Sequence, residues 1–497
     1  MTFRTNPVCS FILALCVAVP VFAEEPKQAD FYTITSFAMP NEKETLETGG
    51  IELMPDGKIA VCTRRGQIWT VDGAFGDPKN AKWQVFAEYL HEPLGLAFRD
   101  GWLYAVQRPE VTRMKDEDGD GRADVFETVS DVWGVKGDYH EYNFGSHFDK
   151  DGNFYTVHCL TGSFTSQAKY RGWVFKIDTK TGKATPFAYG VRSPGGIGYN
   201  AAGDIFYTDN QGAWNGSSSL KWVKPGSFQG NPNGNIWFEY EADHSIVGNA
   251  PPHPNYEDGP GRSDAARKTV PTYIPPALVL PHGKLSKSPT GIVPDLSGGK
   301  FGPFAGQTFV GEQSLSTVIR CHLEKVNGIY QGAAFPFLRG FKSGNIGMLL
   351  TKDGVMFTGG SNRGWGAQGG HPASFERVNW TGKVPFEIHE MRAKPDGFEL
   401  TFTKPIDKST ATRDSFKMDA YTYIYQKAYG SPEVDKVQPK VTVTSVADDG
   451  KSLRLKVEPL TKGHVHELRS EGLKSEDGHG LLNKLAYYTL NEIPVAE

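Results

Sequence analysis

Residues 116–127, DEDGDGRADVFE, place carboxylates at loop positions one, three, five and nine (Asp116, Asp118, Asp120, Asp124), with Gly121 at six and Glu127 at twelve. A hard divalent cation needs about six to eight oxygen ligands. This spacing can supply them: alternating side chains give three, glycine allows the sharp turn, the carbonyl of Arg122 adds one, and Glu127 chelates through two oxygens. The competing reading is a solvated acidic turn. Because the loop follows the strand-like run DGWLYAVQRPEVTRM and nothing links it to a cofactor, the ion expected here is a structural calcium that pins a long loop.

The elements that would position other chemistry show as a repeat. A turn with glycine leads into a run of β-branched and aromatic residues at DGKIAVC, DGWLYAV, DGNFYTV, AGDIFYT, AGQTFVG and DGVMFTG, with the glycines at 57, 101, 152, 203, 306 and 354. A four-stranded propeller blade needs about 40 to 50 residues, so these phrases predict six blades. A second phrase precedes several of them (HEPLGLAF, SPGGIGY, SPTGIV). One double-length gap holds residues 249–283, rich in Pro, Gly and charge. It predicts a long excursion, serving either as part of a substrate mouth or as a brace between blades. After NWTGKVPFEI the texture changes to simple alternation, as in FELTFTK and SLRLKVE, which predicts an immunoglobulin-like β-sandwich. The fold class expected is therefore all-β: a six-bladed propeller over residues 50–384, preceded by a strand or linker over 24–49 and followed by a sandwich over 385–497.

In a propeller the repeated strands end near one face. The residues just past the phrases are Arg64 and Arg65, Gln107 and Arg108, His158, Asp209 to Gln211, Glu312 and Gln313, and Asn362 and Arg363. Converging arginines, carboxylates and a histidine favour a polar, oxygen-rich ligand over a purely structural role. His464 and His466 lie on one face of a sandwich strand, where exposure is the commoner outcome than metal binding.

The motifs YHEYNFGSHFDKDGNFYT, GVRSPGGIGYNAAGDIFYTDNQGAW and SLKWVKPGSFQGNP resemble the secreted six-bladed soluble glucose and sorbosone dehydrogenases over about residues 50–380. FGPFAGQTFVGEQ, EKVNGIYQGAAFPF and SNRGWGAQGG resemble the sorbosone dehydrogenase-like branch. The resemblance implies oxidation of a sugar, sugar alcohol or aldehyde by pyrroloquinoline quinone with calcium. It implies His140 as general base, Arg192 as the residue polarising a quinone oxygen, and Asn210, Gln211, Gly212 and Ala213 as the turn that holds the cofactor and its ion. Arg363 is a further cofactor-binding candidate, and an electron-acceptor protein is an implied partner. The chain departs from the family at Ser193, where the family has asparagine, and at Glu312-Gln313-Ser314, where it has a cofactor-binding lysine. Two other classes compete: a metal-dependent hydrolase or lactonase using Asp209, Asn210 and Glu312 with His140, and a non-catalytic carbohydrate-binding propeller.

The N-terminus carries Arg4, an apolar run from Phe11 to Phe22 and a small-residue cleavage pattern ending at Ala23. This predicts a signal peptide over residues 1–23 and a periplasmic or secreted protein without a transmembrane segment. With Cys9 and Cys16 in that leader, Cys62, Cys159 and Cys321 remain, too scattered for a zinc site and expected as buried thiols. A net charge of -4 with interspersed signs gives no footprint for nucleic acid.

Overall fold

The computed structural model describes residues 1–2, 25–41, 43–240, 244–252, 261–364 and 366–495. The expected leader and its cleavage point lie outside the described residues apart from residues 1–2. No helix among the described residues is long and apolar enough to cross a membrane.

Six antiparallel blades form the first part of the chain. Blade one is Thr48–Leu53, Ile59–Thr63, Ile68–Asp72 and Lys82–Ala87; blade two is Leu96–Arg99, Trp102–Val106, Val111–Lys115 and Val125–Ser130. Blade three is Asn143–Phe144, Asn153–His158, Trp173–Asp178 and Ala184–Tyr189; blade four is Pro194–Tyr199, Ile205–Asp209, Ser218–Trp222 and Leu278–Leu280. Blade five is Pro289–Pro294, Thr308–Glu312, Thr317–Val326 and Ile329–Arg339. Blade six runs Gly347–Leu350, Val355–Ser361 and Ala373–Trp380, and its outermost strand is the N-terminal Tyr32–Ser36, paired from Tyr32↔Trp380 to Ser36↔Glu376. That strand ties the start of the chain to the last blade and removes an open edge.

Each repeated phrase is the second strand of its blade, and its glycine makes the turn from the first strand. All six glycines have φ between +77° and +87°, a region costly for residues with a Cβ. A different set of glycines lines the axis. A Cβ on Gly95 would fall on the carbonyl of Gly145, and one on Gly195 on the carbonyl of Pro289. The first strands of neighbouring blades therefore approach closely enough only without side chains. Cys62, Cys159 and Cys321 are all buried and unpaired.

The excursion proves to be a brace in its described residues. Ahead of it, Ser227–Phe228 pairs in parallel with Ala184–Tyr189 and extends blade three. The excursion carries helix Ser263–Thr269 and then lies along that added edge: the Phe228 amide donates to the Thr272 carbonyl at 2.9 Å, the Ile274 amide to the Phe228 carbonyl at 3.1 Å, and the Tyr189 and Thr272 hydroxyls meet at 3.0 Å, before Leu278–Leu280 completes blade four. Residues 253–260 of this segment lie outside the described residues.

The C-terminal part is a β-sandwich. One sheet orders Ile388–Lys394, Gly397–Phe402, Ser452–Glu458 and Lys440–Val446; the other orders Leu485–Leu490, His464–Ser470, Phe416–Tyr423 and Glu433–Val437. The inward positions of the alternating strands (Phe398, Leu400, Leu453, Leu455, Val457) form one buried cluster with Phe416, Leu468 and Tyr488. This sandwich is continuous with the propeller. Leu485–Leu490 pairs with the outer strand of blade five (Gly332↔Thr489, Ala333↔Tyr488, Ala334↔Tyr487), and Ala333 and Phe335 of that blade belong to the sandwich core. His466 is fully buried against Phe398, with ring centroids 5.3 Å apart. Burial first, then the neighbouring His464, pushes its imidazole down to about 3, so the exposed pair expected from the sequence does not form.

Candidate functional site

The ends of the second strands and the starts of the first strands meet on one face, because antiparallel neighbours bring those termini together. The funnel mouth there is lined from all six blades, by Arg64, Leu94, Tyr142, Asn210, Gln313 and Ile346 among others.

One side of the mouth is a guanidinium cluster. Arg64 donates to Glu92 Oε1 through Nε at 2.9 Å and Nη2 at 2.7 Å, and to the Tyr142 hydroxyl at 2.9 Å. Glu92 also meets Arg108 at 3.4 Å and Arg363 at 3.1 Å. Glu47 is shared by Arg65 and Arg363, each at 3.3 Å. Four arginines thus converge on two carboxylates, leaving an excess of positive charge. Burial works against the charge on Arg64, but Tyr142 and Glu92 outweigh it and raise its pKa. Burial likewise pushes the Tyr142 phenol well above its ordinary range.

His140 stands beside this cluster. Its ring lies edge-on to Tyr139 at 5.2 Å and to Tyr142 at 6.4 Å, and its Nδ1 is 3.5 Å from Asp138 Oδ1. The same carboxylate oxygen accepts the backbone amides of His140 and Gly162, each at 2.8 Å. Burial opposes ionisation of Asp138, but those amides and the imidazole overcome it and hold the carboxyl below its usual range.

Across the mouth, Arg192 is only 3% exposed. Its Nη1 donates to the carbonyls of Gln211 at 2.8 Å and Asn210 at 3.3 Å, and its Nε is buried with no hydrogen-bond partner. The same is true of Asn210 Oδ1. Gly212 is required beneath this group, since a Cβ there would collide with the Arg192 guanidinium. Gln211 Nε2 donates to the Gly216 carbonyl at 3.2 Å, and Ala213 is buried with its carbonyl accepting from Asn231 at 3.2 Å. The structure therefore brings Arg192, Asn210, Gln211, Gly212 and Ala213 together, while Arg363 belongs to the guanidinium cluster and His140 lies in the segment entering the neighbouring blade three.

Three residues of the expected polar ring are engaged elsewhere. His158 turns into blade three, with its ring 4.3 Å from Trp133 and its pKa driven well down by burial and then by Arg171. Asp209 is fully buried in an ion pair with Lys221 at 3.0 Å and accepts the Ser193 amide at 2.8 Å. Glu312 accepts the Lys287 amide at 2.8 Å as well as those of Ser288 and Leu315, although burial still raises its pKa. Two of the carboxyl-bearing and amide-bearing ligands considered for a hydrolytic metal, Asp209 and Glu312, are thus committed to the chain's own donors.

The acidic loop lies away from the funnel, joining the outer two strands of blade two. The carboxylates of Asp116, Asp118 and Asp120 converge within 4.8 Å of one another, the one such group of three among the described residues. Asp124 accepts the Glu117 amide at 2.7 Å, Gly121 has φ +88°, and the Arg122 amide is held by Asp120 at 2.8 Å. Glu127 sits in the next strand opposite Arg113 and pairs with it at 2.6 Å. Sequence reasoning missed Glu47 and Glu92, though both lie just before first strands, Glu92 inside a repeated phrase. Nothing in the sequence signalled Tyr429, which reaches the funnel rim from the C-terminal domain with its ring 5.0 Å from the Arg192 guanidinium.

A family model described as a domain of unknown function (DUF7133) matches residues 50–232. No curated protein matches the chain. Among solved structures, an oxidoreductase described as a glucose dehydrogenase from Thermus thermophilus is similar at 17% identity, covering 70% of this chain and 99% of its own, with a TM-score of 0.47. The PQQ-bound aldose sugar dehydrogenase of Streptomyces coelicolor is similar at 15% identity over 70% of this chain and 98% of its own, TM-score 0.46. A carbohydrate-active enzyme of family AA12 from Trichoderma reesei is similar at 12% identity over 75% and 100%, TM-score 0.49.

Proposed function

We propose that this protein is a sugar dehydrogenase-like propeller that oxidises a sugar, sugar alcohol or aldehyde in its funnel, with His140 as base and a quinone as electron acceptor. The observation that carries this reading is the charge imbalance of the mouth: four guanidinium groups on two carboxylates at one rim, and at the other Arg192, bonded only to neutral carbonyls. Such a site favours a ligand bearing carboxylates and ketone oxygens, and the donor set fits pyrroloquinoline quinone on those grounds. The unpartnered Nε of Arg192 is a donor for a quinone oxygen. A calcium ion on the turn does not fit, because the carbonyls of Asn210 and Gln211 already receive the Arg192 guanidinium. No step is assigned to an ion there.

Arg192 would bind and orient the acceptor, and Arg64 and Arg363 would hold its carboxylates. When bound, the quinone supplies a two-electron sink. Asp138 fixes His140 with hydrogen on Nδ1, so that Nε2 carries the lone pair. Nε2 would then take the proton of the hydroxyl on the substrate carbon being oxidised. Protein incubated with quinone should reduce an artificial dye when sugar is added. His140→Ala should lower that rate about a hundredfold to ten-thousandfold while leaving the quinone absorbance and the melting temperature unchanged. Full activity in the variant, or no quinone bound at tens of micromolar, would end the dehydrogenase reading.

A further inference from the structure

We propose that the C-terminal domain completes the funnel, supplying with Tyr429 one half of an aromatic ledge that takes a second sugar ring of an oligosaccharide. This rests on the reading of the funnel as a carbohydrate site. The hairpin loop 424–432 leaves the sandwich between Phe416–Tyr423 and Glu433–Val437 and docks on the turn that follows the second strand of blade four. The Trp214 amide donates to the Gln426 carbonyl at 2.7 Å, and the Ser431 amide to the Gly216 carbonyl at 3.0 Å. The Tyr425 hydroxyl bonds the Gly230 carbonyl, and its ring packs 5.1 Å from Trp214 and 5.5 Å from Tyr273. Gly430 lies against the Gln211 side chain, which a Cβ would touch at 2.8 Å. The loop is therefore fixed on both flanks while Tyr429 near its tip stays 60% exposed.

Phe164, 53% exposed, stands opposite on the loop that joins the second and third strands of blade three. The two ring centroids are 6.1 Å apart, and the Arg192 guanidinium lies 5.0 Å from Tyr429 and 5.8 Å from Phe164. Two large apolar rings held in water at the rim of a polar funnel mark a binding surface. The patch is only two rings wide, too small for a stable protein interface, which needs about 1,000 Å² or more. A pyranose fits its chemistry: the C–H face of the sugar packs on the two aromatic rings, which both stand against the Arg192 guanidinium at the funnel rim. Arg192 directly precedes Ser193, which lines the funnel. A chain whose reacting unit sits at the funnel would thus lay its next unit on the ledge.

The test is calorimetric titration of the full-length protein with maltotriose, cellotriose and trigalacturonate, and with glucose and galacturonate as single-ring controls. At least one trisaccharide should bind. Its affinity should fall about threefold to tenfold in Tyr429→Ala and in Phe164→Ala, recover in Tyr429→Trp, and the single-ring sugars should be unaffected. Because both rings are exposed, the variants should melt with the wild type. Failure of every trisaccharide to bind, equal binding by the alanine variants, or a dimer that dissociates on Tyr429→Ala, showing that a second copy covers the ledge, would overturn the proposal. Tyr429-dependent binding without dye reduction would sustain the ledge and sink the dehydrogenase reading; dye reduction with unaltered trisaccharide binding in the alanine variants would do the reverse.

Discussion

Glu387, at the start of the sandwich, is 2% exposed, and its side chain accepts from Asn483, whose Nδ2 donates to Oε1 at 2.7 Å. Arg320 is close enough to favour its charge, but the guanidinium is bonded to Gln307 Oε1 at 2.7 Å and to the carbonyls of Ile388 and His389 at 2.7 and 2.9 Å. Burial therefore dominates and pushes the carboxyl from 4.5 up to about 7, with Arg320 and Asn483 only partly opposing it. A raised acid binds its proton more tightly in the folded state. The stability it contributes is whole below pH 4.5 and is lost as pH rises through 7. At about 1.4 kcal/mol for each tenfold in proton affinity, the loss approaches about 3 kcal/mol by pH 8. Glu387→Gln removes this titration. Its melting temperature relative to wild type should therefore rise between about pH 5 and pH 8. With an unfolding entropy of about 2 cal/mol/K per residue, a chain of 497 residues that unfolds as one unit gains about 3 °C from that energy. Scanning calorimetry of both proteins at the two pH values measures it. A difference between them that does not change with pH would refute the reasoning, showing that Glu387 stays ionised against Arg320.

Calcium should raise the melting temperature, by an amount equivalent to about 2.7 kcal/mol at a hundredfold excess over Kd, and the double change Asp116→Ala with Asp118→Ala should abolish the rise, since it removes two of the three converging carboxylates. Glu127→Gln should keep most of it, since that carboxylate is already paired with Arg113; chelator-insensitive melting of the wild type would eliminate the metal site. Limited proteolysis within 382–385 should nick the chain without releasing separate domains on gel filtration, because Leu485–Leu490 is a strand of the blade-five sheet. Clean separation of the two pieces would show that this pairing contributes little. Deletion of residues 385–497 should leave the propeller aggregated, since it uncovers Ala333 and Phe335 and the edge of Ile329–Arg339; a monodisperse, folded propeller on light scattering would contradict this.

The local rules of the chain are written in its sequence. A glycine turn followed by a β-branched and aromatic run marks one blade each time, because φ near +80° and a pleated, buried strand are demands that few residue types satisfy. The period-two patterns of FELTFTK and SLRLKVE declare the sandwich strands for the same kind of reason. The acidic loop is legible because its ligands are neighbours in the chain, and Asp116, Asp118 and Asp120 do converge.

What the sequence left open depends on contacts between residues far apart in it. Whether a polar residue after a strand faces the funnel or its own blade is set by what packs around it, so Arg64 reaches the mouth while His158 and Asp209 are buried by Trp133 and Lys221. The excursion becomes a brace because Thr272 and Ile274 find Phe228 on the edge added to blade three, and the sandwich becomes part of the propeller because Thr489 lies opposite Gly332. Tyr429 arrives beside Arg192 from a distant part of the chain. Composition and periodicity encode how a segment folds upon itself, whereas the site is made by the closure of the ring and the docking of one domain on another, and only the three-dimensional packing energy decides those.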